Sequence, residues 1–79
     1  MMTQDKQYIG IDVSKDWLDV FSDKGAERLP NKPSSAPLLV EKISPNNVFV
    51  LEASGGYEQI IVTALEEMNV EVLIVNPKR

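Results

Sequence analysis

Two acidic residues stand where acids are costly. Asp12 closes the apolar stretch Tyr8-Ile9-Gly10-Ile11-Asp12-Val13, and Glu52 closes Asn47-Val48-Phe49-Val50-Leu51-Glu52. An unpaired charge inside a buried strand costs several kcal/mol. Each carboxylate must therefore reach water at its strand's end or lie against something positive. In open α/β sheets, ligands gather at the carboxyl ends of parallel strands, and neighbouring strands are about 4.8 Å apart. If the two strands are parallel neighbours, both side chains reach one site. Two carboxylates that close repel, and one tends to hold a proton. A hard divalent cation relieves the repulsion, because magnesium takes oxygen ligands and keeps several waters. The residues alone leave a plainer alternative open, in which Asp12 caps a strand and Glu52 is a solvated strand end.

Three further residues could meet a phosphate. Ser54-Gly55-Gly56 follows Glu52 and precedes a helical pattern. The two glycines either let the chain turn, or leave helix-start N–H groups facing an anion. The loop lacks the lysine of a phosphate-binding P-loop. Lys15, just past Asp12, is either a solvated turn residue or a point charge against phosphate. Trp17 is expected to pack against the sheet. Asp16, Asp19 and Asp23 read as solvent-facing residues, and Lys78-Arg79 is too short for a nucleic-acid patch.

Composition narrows the chemistry. The chain has 79 residues, no cysteine and no histidine. Disulfides, thiolate metal sites and Ser-His-Asp triads are therefore excluded within it. The length suits one small domain. The net charge is −4, whereas a free-standing nucleic-acid binder is usually basic; contact with DNA then requires metal ions or further basic segments. No apolar run approaches the roughly 20 residues of a spanning helix, and the expectation is a soluble, cytoplasmic protein with no membrane partner.

Seven elements must position these residues. Gln7 to Val13 reads as a strand. Trp17 to Ser22 alternates, with Leu18 and Val20 on one face and Trp17, Asp19 and Phe21 on the other. Asp23-Lys24-Gly25 is a turn, and Ala26 to Pro30 forms the return strand of a hairpin. Ser34 or Ser35 caps a helix with Pro37 in its first turn, running to about Ser44. Asn47 to Ala53 reads as a strand covered on both faces. A helix from about Tyr57 to Met68 presents Tyr57, Ile61, Ala64, Leu65 and Met68 on one side, and Asn69 suits its C-terminal cap. Val70 to Val75 is the last strand. The string β-β-β-α-β-α-β predicts an α/β fold: a mixed sheet with an antiparallel meander, a parallel crossover, and helices on its faces.

Four segments now combine: YIGIDVSK at 8–15, LDV at 18–20, LEASGGYE at 51–58 and VLIVNP at 72–77. Their order and spacing resemble the N-terminal domain of the DEDD transposases of IS-one-ten type insertion sequences, a group that includes the Piv-type DNA invertases. The resemblance covers nearly the whole chain. It implies a ribonuclease H-like (RuvC-like) fold and an Asp-Glu-Asp-Asp tetrad that holds Mg2+ or Mn2+ for DNA strand cleavage and transfer. Asp12 matches the first carboxylate and Glu52 the second, as catalytic and metal-binding residues. The two remaining aspartates belong to a downstream motif with no counterpart here. On this resemblance, residues 1–79 are part of a longer catalytic domain, expected to bind metal weakly and to be inactive alone. The family also implies DNA as partner, an element-encoded RNA in some members, and a homo-oligomer for the full-length protein.

Two other readings remain. GIDVSK also resembles the first phosphate loop of the actin-like and sugar-kinase superfamily, although Lys15-Asp16 departs from that loop's usual residues and EASGGY has no obvious place in it. Alternatively the chain is a non-catalytic interaction domain in which Asp12 and Glu52 only end strands.

Overall fold

The computed structural model describes residues 7–41 and 47–76. Its elements follow the expected order: β1 (Gln7–Val13), β2 (Trp17–Ser22), β3 (Gly25–Pro30), α1 (Ser35–Glu41), β4 (Asn47–Glu52), α2 (Gln59–Glu67) and β5 (Val72–Val75). They build one mixed five-stranded sheet in the order β3-β2-β1-β4-β5. β1 lies at its centre, antiparallel to β2 and parallel to β4, and β4 is parallel to β5.

Local chemistry explains the meander. A two-residue turn at Asp23 and Lys24 joins β2 to β3, with Ser22 opposite Gly25. Gly25 has φ +120°, a conformation that costs little without a Cβ. The Ser22 hydroxyl accepts the Lys24 N–H at 3.2 Å and tightens the turn.

One face of the sheet carries the core. Ile9, Ile11 and Val13 from β1, Leu18 and Val20 from β2, Leu29 from β3, and Phe49 and Leu51 from β4 pack against Ala36 and Leu39 of α1 and Ile61, Val62 and Leu65 of α2. Both helices therefore lie on this face, which corrects the expectation of helices on both faces. The reason is topological. The connections run from β1 to β4 and from β4 to β5, in the same direction across the sheet. Crossovers of one hand that progress in one direction leave their helices on one side. β4 is buried at Asn47, Val48, Phe49 and Leu51 but only half-buried at Val50, so the strand is not wrapped as fully as its composition suggests.

Helix ends depart from expectation in instructive ways. Ser35 is fully buried, and its hydroxyl donates to the Pro30 carbonyl at 2.6 Å, tying α1 back to β3. Residue 44, the expected end of that helix, lies outside the described residues. The buried stripe of α2 is Ile61, Val62 and Leu65, whereas Tyr57 and Met68, expected on it, are exposed. Tyr57 precedes the helix, in the turn of residues 55–58, and so does not share its periodicity. Asn69 adopts φ 62°. Its N–H bonds to the Glu66 carbonyl, and the Val70 N–H to the Leu65 carbonyl, the paired bonds of a Schellman ending. Val70 then packs against the core.

Candidate functional site

The second face of the sheet carries the charges. Asp12 lies opposite Asp19, and Asp19 opposite Arg28. On the other side of β1, the ladder with β4 ends at Ile11 opposite Leu51. Continued by one residue, that register sets Asp12 beside Glu52, which in turn faces Val75. Directly opposed residues share a face. A single row therefore crosses the sheet as Arg28, Asp19, Asp12, Glu52, Val75, opposite the core face. Asp12 and Glu52 are both exposed. Among the described residues, neither side chain is in a hydrogen bond or ion pair.

Asp19 is engaged. Arg28 donates from Nε to Oδ1 at 2.8 Å and from its second terminal nitrogen to Oδ2 at 3.2 Å. The Arg28 guanidinium also lies 5.4 Å from the centre of the Trp17 ring, within cation–π range. Trp17 is thus partly exposed beneath an arginine on this face. The Arg28 hydrogen bond holds the Asp19 carboxyl below its ordinary value, and the same contact raises Arg28. Asp19 is therefore a clamped neighbour of Asp12 rather than a simple solvated residue. The two-residue turn at Asp23-Lys24 sets Asp19 opposite Arg28, counting back from Ser22 and Gly25.

Two loops leave the carboxyl ends of β1 and β4. The first, residues 14–16, is a tight turn in which the Ser14 N–H and hydroxyl both donate to the Trp17 carbonyl, at 2.9 and 3.2 Å. Lys15 is exposed on it. The second, residues 53–58, follows Glu52. Gly55 and Gly56 have φ +73° and +108°, so the turn itself requires glycine there. The Glu58 Oε1 accepts from the Ser54 N–H at 2.9 Å, the Ser54 hydroxyl at 3.0 Å and the Gly56 N–H at 3.1 Å. These donors hold the Glu58 carboxyl below its ordinary value, the Ser54 amide being the largest cause. Glu58 thus takes up the Ser54 and Gly56 N–H groups, which are engaged within their own loop.

Asn31, just past β3, joins the two loops. Its side-chain amide donates to the Ser14 carbonyl at 2.9 Å and to the Tyr57 carbonyl at 3.0 Å. Its backbone N–H donates to the Asp16 carbonyl at 2.9 Å. The residue is only 6% exposed, and its Oδ1 is buried without a partner among the described residues. No sequence signal marked Asn31, because an Asn among prolines reads as an ordinary loop residue.

Asp12 and Glu52 supply hard oxygen ligands of the type magnesium takes, on one face and at adjacent register positions. They fit as two ligands of such a site. Among the described residues, no group of three or more acidic, His or Cys side chains comes together as a metal centre. A concavity of about 890 Å³ lies at the other end of the sheet, lined by residues such as Gln7, Ile9, Lys24, Asn47 and Phe49, and includes neither carboxylate. Among the described residues, no helix is long and apolar enough to cross a membrane. No family model matches the chain, and no curated protein matches it.

Proposed function

We propose that this chain is the N-terminal part of a ribonuclease H-like catalytic domain, of the DEDD transposase and DNA invertase kind, acting in metal-dependent DNA strand cleavage and transfer. The observation that carries the reading is the parallel β1–β4 register, whose last pair is Ile11 with Leu51 and whose continuation by one residue brings Asp12 and Glu52 together on one face. The β-β-β-α-β-α-β order of elements, built into one mixed sheet, also supports it, since this is the order that agrees with the fold the resemblance implies.

Bound Mg2+ or Mn2+ would supply charge stabilisation at a phosphodiester and activation of the attacking oxygen. The chain's own part is narrower. Asp12 and Glu52 offer two anionic oxygens from neighbouring strands, one residue beyond the last pair of the ladder that joins them. Arg28 neutralises Asp19, which would otherwise add a third negative charge to the row. Lys15 and the Gly55-Gly56 turn lie in the loops that follow the two carboxylates, where DNA phosphate would approach. The remaining two aspartates of the tetrad would come from further chain, as would the basic surface that DNA needs.

NMR of the 15N-labelled chain with magnesium tests this. Shifts are expected at and around Asp12 and Glu52, and Mn2+ should broaden the same signals. Absence of any response there at high magnesium would sink the metal role in this chain. Stabilisation by ATP with magnesium, but not by DNA, would favour the actin-like and sugar-kinase reading instead.

A further inference from the structure

We infer that Asn31 is a positioning residue for the Asp12–Glu52 pair, its side-chain amide holding together the two loops that the pair's strands run into. The inference rests on the metal-binding reading of that pair.

The β1–β4 ladder ends at Ile11 and Leu51. Asp12 and Glu52 lie one residue beyond that last pair, and from there β1 leads through residues 14–16 into β2 while β4 leads through residues 53–58 to α2. Their separation therefore also depends on how these two loops are held. Asn31 joins the two loops. One of its links reaches Ser14, two residues past Asp12, and another reaches Tyr57, five residues past Glu52. A third, through its backbone, holds Asp16. All three acceptors are backbone carbonyls, so Asn31 fixes the course of the chain. Glu58 also orders the second loop, but its bonds stay within that loop.

The unpartnered Oδ1 is an independent indication. A buried acceptor without a hydrogen bond is unfavourable, and such groups are few in native proteins. An apolar residue would fill this position without that cost. What the asparagine adds is two donors pointing at two different loops. Violations of this kind gather where a site must be held in shape. Ligands fixed beforehand bind more tightly, because less order is lost on binding.

The test uses the 79-residue chain and magnesium alone, read by NMR. Asn31→Ala removes both side-chain donors, and Asn31→Ser is a milder second variant. Ser35→Ala is the control. It removes the Ser35–Pro30 hydrogen bond from the same turn without touching either loop. Both Asn31 variants are expected to keep a dispersed spectrum, to speed amide exchange at Ser14 and Gly56 together, and to weaken magnesium binding by about 10-fold or more. Ser35→Ala should leave the affinity within about twofold, well short of that loss.

Four results overturn the inference: wild-type affinity in a folded Asn31 variant, loosening of only one loop, an equal loss in Ser35→Ala, or unfolding of both Asn31 variants. If wild type does not respond to magnesium, the metal reading falls and takes this inference with it. Binding by wild type and equally by Asn31→Ala overturns the inference alone.

Discussion

The two faces of the sheet are built on opposite principles. Beneath the helices, each strand from β1 to β4 contributes apolar side chains, and the largest of them, Phe49, is fully buried. Among the described residues, no helix lies on the other face. Tyr8, Trp17, Phe21, Leu73 and Val75 are each more than 40% exposed there, and the charged row runs among them. The covered face stabilises the fold through buried apolar area. The open face buries Val48 but leaves most of its side chains in solvent, which gives it room for two carboxylates. Adjacent like charges are unfavourable in a sheet, so their presence is a local cost that stability alone would not select.

Truncating one phenylalanine on each face gives the largest contrast between the two. Phe49→Ala is expected to cost about 3–5 kcal/mol, enough to unfold much of a domain this small, as read by urea or thermal denaturation. Phe21→Ala, 51% exposed, should cost well under half of that. Equal losses would mean that the second face is also packed in solution.

Gly10 gives a finer probe. It lies on the open face between Tyr8 and Asp12, and a Cβ built there meets nothing within 4 Å. Gly10→Ala is expected to stabilise by about 0.4–1 kcal/mol through the unfolded chain. A lower melting temperature instead would reveal a partner lying over this strand.

The double change Asp12→Asn with Glu52→Gln should abolish the magnesium response while raising Tm by a few degrees at most, because it removes repulsion within the row. A fall in Tm would give the two acids a structural role and weaken the metal reading.

The smallest effect is in acid. Glu58 has a lowered pKa in the fold, so its contribution is present above the unfolded value and is lost as pH falls through the folded one. As pH falls below the ordinary glutamate range, the protection of the Ser54 and Gly56 amides, exchange measured against the intrinsic rate at each pH, should drop before the sheet itself melts. Glu58→Gln should remove that early step; its persistence in the variant would assign the effect elsewhere.

Much of this molecule was legible in its sequence. Branched apolar residues placed β1, period-two alternation placed β2, a continuous apolar run placed β4, and the Asp23-Lys24-Gly25 turn named the hairpin. Asn69 marked the end of α2, because few residues other than glycine accept positive φ. Asp12 and Glu52 stood out because charge rarely closes an apolar strand without a reason. The Asp19–Arg28 pair was not read, because a turn taken as Asp23-Lys24-Gly25 shifts the count by one and sets Asp19 opposite Leu29.

What only the tertiary structure decided is which distant segments meet. Local patterning says that β4 is a strand, but not that it inserts beside β1 in the register that aligns Asp12 with Glu52. That register comes from packing Ile9, Ile11, Phe49 and Leu51 under the same two helices. The placement of both helices on one face likewise follows from the order in which strands join the sheet. Asn31 carried no signal at all, because its role depends on two carbonyls, 17 and 26 residues away in the chain, that only the folded molecule brings to its side-chain amide.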